Sequence, residues 1–218
     1  MDFSKARFNM VEQQIRPWSV LDLNVLDHLL EIPREAFVAS GQERVAYTDT
    51  HLPLPNGGVM LEPKIVARMI QALAIKPTDK VLEVGTGSGY ATALLSKLAQ
   101  SVLTVDIDQE QQEKAKQTLT KLAYQNINYH VADGLQNIDQ GKFDAIYIGG
   151  ACDTVPEALK EQLAENGRLV IIVGRSAVMQ AMLYTLKDNQ FTEKVLFDTN
   201  VPYLTNTKNP GFSGKFEF

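Results

Sequence analysis

The run Val81-Leu82-Glu83-Val84-Gly85-Thr86-Gly87-Ser88-Gly89-Tyr90 constrains this chain more than any other stretch. Residues 81–84 have the composition of a buried strand, three alternating glycines follow, and Ala91 to Ala99 is helical in composition with no breaker. The run predicts strand, tight loop, helix. Gly85 and Gly87 can take backbone angles closed to other residues and let a ligand approach the main chain. The helix start behind them offers unpaired N–H groups and a partial positive charge. An anionic or polar ligand group is expected against this loop.

The spacing narrows the ligand. A dinucleotide loop reads G-x-G-x-x-G, whereas this one reads G-x-G-x-G with Tyr90 in the third glycine's place, which argues against NAD. Ser101 to Ile107 reads as a second strand, and Asp106, followed by Ile107, stands where a ribose-binding acid is expected. Ile127 to Ala132 reads as a third, ending in Asp133-Gly134, a carboxylate and a compact turn suited to an adenine edge. Asp108 is read as the cap of the next helix. Glu83 has two readings: a buried acid paired with a backbone donor, or a carboxylate that orders the ligand's amino group.

With these residues in place, the chain resembles the class I S-adenosyl-L-methionine (SAM)-dependent methyltransferases. VLEVGTGSGY resembles their first motif, with Glu83, Gly85, Thr86, Gly87, Ser88 and Gly89 on the cofactor, and Val131 to Gly134 resembles the adenine-side motif. Along most of its length the chain is similar to the protein-L-isoaspartate O-methyltransferase family. MVEQQIRP (Met10 to Pro17), IPREAFV (Ile32 to Val38), AYTDTHLPL (Ala46 to Leu54), the P-x-x-V-A of Pro63 to Ala67, and GRLVIIVG (Gly167 to Gly174) follow the family's order. The resemblance implies an α/β fold with a doubly wound, mostly parallel Rossmann-like sheet. It implies SAM as cofactor, S-adenosyl-L-homocysteine (SAH) as product, and methyl transfer to a carboxylate of damaged, isoaspartyl protein.

Two departures face the expected acceptor side. The family resembles T-I-S-A-P-H where this chain has Val59-Met60-Leu61-Glu62-Pro63-Lys64, so Leu61 replaces a serine whose hydroxyl holds the reacting carboxylate. Gly149-Gly150-Ala151, read as the loop after a strand ending at Ile148, replaces Thr-Ala-Ala. Met60, Leu61, Glu62, Gly149 and Gly150 are therefore the substrate-side candidates, and weak or lost isoaspartyl methylation is expected from Leu61 and Glu62. A methyltransferase for another acceptor, or a SAM-binding protein with a regulatory or partner-binding role, stays open beside the main reading.

Composition bounds the rest. The chain has 218 residues, 44% of them hydrophobic, enough for one large α/β domain with a full core. The expected division is an N-terminal helical and loop extension over 1–60, the core over 61–205 and a loosely ordered tail over 206–218. A net charge of −5 with scattered lysines gives no basic stripe for nucleic acid. The single Cys152 cannot form an internal disulfide and carries no nucleophile signature. With no apolar run near the length of a membrane span, the expected compartment is the cytoplasm. His28, His51 and His130 have no metal-site spacing, and no metal is expected.

Periodicity predicts a helix from Phe3 to Ile15, stopping before Pro17, and a second over Leu23 to Leu30, capped by Ser19 or Asp22. The two are expected to cover one edge of the core. A third helix should begin at Pro63 after Glu62 as cap. Then come helix 90–100, strand 101–107, helix 109–123, strand 127–132, strand 143–148, helix 155–163 and strand 168–173. Val195, Phe197 and Thr199 suggest a late strand, and Ala177 to Lys187 fits helix or strand by its residues and is read as a strand from the resemblance. Trp18 and Tyr47 are read as packing residues.

Overall fold

The computed structural model describes residues 1–175 and 178–205. Ala177 and the tail over 206–218 lie outside the described residues.

The chain alternates strand and helix through its middle: β3 (Lys80–Val84), α4 (Tyr90–Leu98), β4 (Ser101–Asp106), α5 (Gln109–Lys121), β5 (Ile127–Val131), β6 (Phe143–Cys152). A one-turn helix α6 (Glu157–Lys160) leads into β7 (Leu163–Arg175), which meanders through β8 (Val178–Lys187) and β9 (Gln190–Thr199). These strands form one seven-stranded sheet in the order β5-β4-β3-β6-β7-β8-β9. β5, β4, β3, β6 and β7 are parallel, and β8 and β9 are antiparallel to their neighbours. Strand order reverses between β4 and β6 on either side of β3, the point at which an open α/β sheet offers a crevice above its strand ends.

Period-two alternation sends Leu82 and Val84 into an apolar layer with Val105, Ile146, Leu159 and Leu169. Val81 joins the opposite layer, which takes in the N-terminal region: Met10, Leu29, Ile65 and Leu95 share one buried cluster. That region comprises α1 (Phe3–Met10), a π-helical turn at Val11–Ile15, α2 (Leu23–Glu31) and α3 (Pro63–Leu73). Asp22 caps α2, accepting from Asn24 and Val25, while Ser19 takes a left-handed turn. α2 lies against α3 and α4, and the π-helical turn against α3. Among the described residues, no helix is long and apolar enough to cross a membrane.

Several expected boundaries move: β7 begins at Leu163 and not at 168, and α1 gives way to a π-helical turn after Met10. The helix expected over 155–163 shrinks to α6 because Phe143 donates to the Gln162 carbonyl at 2.9 Å and pairs with Leu163, so the sheet claims that backbone. β6 also runs four residues past Ile148, so Gly149-Gly150 lies inside a strand, at a register shift between Tyr147 and Ala151, rather than in a loop after it.

Candidate cofactor and acceptor site

The glycine loop is shaped by three left-handed residues, Gly85 (φ 88°), Gly87 (φ 51°) and Gly89 (φ 85°), where an L side chain would be strained. Its three glycine amides each have a partner within the protein. Gly85 N–H donates to the Val105 carbonyl at 2.8 Å and Gly89 N–H to the Thr86 carbonyl at 2.8 Å. Gly87 N–H donates to Asp106 Oδ2 at 2.9 Å. Helix α5 braces the loop from behind through Gln111, whose Nε2 donates to the Gly87 carbonyl at 2.8 Å. A β-carbon on Gly89 would stand 3.0 Å from Leu119 of the same helix. Ser88 Oγ accepts from the Tyr90 amide at 3.2 Å.

Asp106 ends β4 beside this loop. Oδ1 accepts from the Asp108 amide at 3.0 Å while Oδ2 holds Gly87, so the half-buried carboxylate is clamped by main chain. Burial raises its pKa, opposed by the Asp108 and Gly87 amides. Asp108 Oδ1 caps α5 through Gln111 N–H, as expected, and its Oδ2 takes Asn56 Nδ2 at 2.9 Å. Asn56 lies at the tip of the hairpin formed by β1 (Leu52–Pro53) and β2 (Val59–Met60), which is thereby fastened beside the cofactor side of the sheet. Ile107 sits half-buried between the two acids. Asp133 Oδ1 turns back onto the Leu135 amide at 3.1 Å, and Gly134 has no room for a side chain, since a β-carbon would meet Val84 Cγ1 at 2.7 Å.

Glu83 is wholly buried on β3. Oε2 accepts the hydroxyls of Thr92 at 2.5 Å and Thr104 at 2.6 Å, and Oε1 has no hydrogen-bond partner among the described residues. Burial pushes its pKa up to about 8 against the pull of Thr104 and Thr92, with the Asp106 charge adding to the rise. Its partners are therefore side-chain hydroxyls, not the backbone donor the sequence suggested. Thr92, Thr104 and Gln112, whose Nε2 donates to Thr86 Oγ1 at 3.2 Å, were not singled out by sequence; the parallel register that sets Glu83 against Thr104 is the signal, and it exists only in the sheet.

On the acceptor side, Met60 and Leu61 are each 5% exposed and belong to the main apolar cluster. Glu62 occupies the N-cap position of α3 but makes no side-chain cap bond. Arg34, also unforeseen, is fully buried: Nε donates to the Ala46 carbonyl and Nη2 to the Leu61 carbonyl, both at 2.8 Å, with its guanidinium 4.5 Å over the Tyr90 ring. Gly149 faces the glycine loop so closely that a β-carbon would be 3.1 Å from the Gly85 carbonyl. One on Gly150 would be 2.8 Å from Leu204 Cγ. Leu204 is tied there by its amide to the Ala151 carbonyl at 2.9 Å. Glu83, the loop, Asp106, Gly134 and Gly149 thus gather around the end of β3, while Leu61 is buried in the main apolar cluster with Tyr90, the residue that follows the loop.

Tyr47 is buried against Arg7 and Glu35, a packing role as expected. Trp18 is 37% exposed beneath the ammonium of Lys64, 4.3 Å from its ring centre. Cys152 is buried, its thiol pushed up to about 12 by burial. A thiol so placed stays protonated and is no nucleophile.

The seven-stranded order, the glycine loop after the central strand and the acid clamped at the end of its neighbour define a class I SAM-dependent methyltransferase. The family model for protein-L-isoaspartate(D-aspartate) O-methyltransferase matches residues 5–211. A protein-L-isoaspartate O-methyltransferase of Roseiflexus sp. (strain RS-1) is 40% identical over 206 residues, 94% of each chain. One of Koribacter versatilis (strain Ellin345) is 40% identical over 212 residues, 97% of this chain and 95% of that one. In fold, the chain is similar to a candidate protein-L-isoaspartate O-methyltransferase from Plasmodium falciparum solved with SAH. That likeness has a TM-score of 0.77 at 22% identity, over 94% of this chain and 99% of that one. The chain belongs to the protein-L-isoaspartate(D-aspartate) O-methyltransferase family.

Proposed function

We propose that this protein methylates the free carboxylate of isoaspartyl residues in damaged protein, with Asp106 and the glycine loop as its cofactor grip. The observation that carries the reading is the clamp on Asp106. Main-chain amides hold both oxygens in place beside the loop, an arrangement suited to accepting the vicinal ribose hydroxyls. Gly149 packs main chain to main chain against Gly85 beside the loop, and Asp133-Gly134 offers a polar edge and a compact turn to the base.

SAM supplies a methyl group on a sulfonium, already activated for transfer. The chain's task is to bind, orient and exclude water. An acceptor carboxylate has a reference pKa near 4 and is ionised at neutral pH, so no general base is required. Cys152 and the buried tyrosines, all held protonated, supply none.

One observation favours a second reading, a methyltransferase for another acceptor. Leu61 puts an apolar, buried side chain where the family resemblance expects a serine hydroxyl. Transfer of labelled methyl from SAM to an isoaspartyl peptide, its aspartyl isomer and whole-cell extract separates the two. Label on the isoaspartyl peptide alone supports the main reading; label in extract with both peptides blank overturns it in favour of the second.

A further inference from the structure

We propose that Glu83 is a specificity-determining residue for the cofactor pair: ionised, its buried carboxylate favours cationic SAM over SAH, and protonated it does not. The inference rests on SAM being the cofactor and is independent of the methyl acceptor.

The geometry begins with proton order. Thr104 Oγ1 is 2.6 Å from Glu83 Oε2 and 2.7 Å from Thr86 Oγ1, and Thr86 is the loop residue between Gly85 and Gly87. A hydroxyl has one proton to give. If Thr104 gives its proton to Glu83, Thr86 must donate to Thr104, and Gln112 Nε2 donates to Thr86 Oγ1 at 3.2 Å. The donors run from Gln112 through Thr86 and Thr104 to Glu83, and Thr92 donates to the same oxygen from α4. Such a chain terminates on a carboxylate. A neutral carboxyl would have to put its proton on Oε1, which has no partner among the described residues, or give it from Oε2 to Thr92 or Thr104 and turn that hydroxyl's own proton elsewhere.

Burial opposes what the hydroxyls favour, so the two charge states lie close in energy at ordinary pH. The groups facing Glu83 do not settle the balance. Asp106 on β4 is an acid that disfavours ionisation, and Tyr147 on β6, Tyr129 on β5 and Tyr90 at the start of α4 are held neutral. Arg34 donates to the neutral Ala46 and Leu61 carbonyls and keeps its positive charge, which acts on Tyr90 and Tyr147 rather than on Glu83. A positive ligand bound over the glycine loop tips the balance toward the carboxylate. SAM carries a sulfonium, and SAH has a neutral thioether in its place. By reciprocity, SAM binding releases a proton from Glu83 to a greater extent than SAH binding.

The test is calorimetric titration of SAM and SAH across about pH 6.5 to about pH 9, a range that spans the ionisation of Glu83. The ratio of the SAH to the SAM dissociation constant is expected to rise with pH by about tenfold, the order of one unit charge acting across a protein interior. The ligands' own α-amino groups titrate in this range, so the decisive comparison is with Glu83→Gln under identical conditions, which should remove Glu83's share of the rise. Thr92→Val takes one donor from the carboxylate and should move the midpoint of the rise to higher pH. A Gln variant with the full wild-type rise overturns the proposal, as does a Thr92→Val midpoint that stays put. If the Gln variant proves too unstable to titrate, the Thr92→Val midpoint decides. Wild-type protein that binds neither ligand overturns instead the cofactor assignment.

Discussion

Asp106 Oδ2 accepts the Gly87 amide at 2.9 Å, so the carboxylate assigned to ribose also holds the glycine loop in its left-handed course. Asp106→Ala should therefore lose a ligand contact and a loop contact together. Hydrogen bonds to a charged group contribute roughly 1.5 to 3 kcal/mol, so SAH affinity should fall by about ten- to a hundredfold or more. Calorimetry checks it; equal affinities would take Asp106 out of the ribose site. A parallel titration with NAD should show no binding, and micromolar affinity would contradict the assignment.

Leu61→Ser restores the hydroxyl that the family resemblance expects and should raise kcat/KM on an isoaspartyl peptide by one to two decades, at about 1.4 kcal/mol per decade. Because Leu61 is buried in the main cluster, the same change should lower stability by about 2 to 3 kcal/mol. Adding Glu62→Ala tests whether that uncapped carboxylate repels the acceptor. No gain in either variant would shift acceptor specificity toward Gly149-Gly150.

Gly134→Ala should destabilise by about 1 to 3 kcal/mol through overpacking, because the new methyl would overlap Val84 Cγ1. Pairing it with Val84→Ala should recover part of the loss, and thermal melts of the four-member cycle measure the coupling. Strict additivity would show that the contact is not the cause.

Glu83 also links stability to pH. Its folded pKa is raised from 4.5 to about 8, so between these values the folded chain holds a proton that the unfolded chain has lost. The slope of unfolding free energy with pH is then negative: the contribution is fully present below 4.5 and is lost as pH rises through about 8. Relative to Glu83→Gln, wild-type stability should decline by a few kcal/mol over that window, read by urea denaturation at several pH values. Parallel curves would mean that Glu83 stays ionised when folded.

Arg34→Met should cost about 2 to 4 kcal/mol, since it leaves the Ala46 and Leu61 carbonyls without their buried donors. Denaturant midpoints at constant slope would show it, and a loss below 1 kcal/mol would mean that these carbonyls find other partners.

Much of this protein was legible in its residues. The alternation of strand and helix from Lys80 to Val131, the left-handed glycines after β3, the Asp108 cap and the strand-end positions of Asp106 and Asp133 all follow from rules that act over a few neighbouring residues. So does the resemblance that names the family. The helix expected over 155–163 failed because pairing of Phe143 with Leu163 outweighed local helical preference. Gly149-Gly150 looked like a loop because glycine weakens a strand, yet β6 carries them through a bulge beside Gly85 and Leu204. The hydroxyl chain that ends on Glu83 and the carbonyls that bind Arg34 were beyond any local reading. Thr104 is 21 residues from Glu83, and Leu61 is 27 from Arg34. Side-chain type says what a group can donate or accept, whereas strand register and packing decide which groups are brought within 3 Å, and out of water, where a charge and a hydrogen bond are worth most.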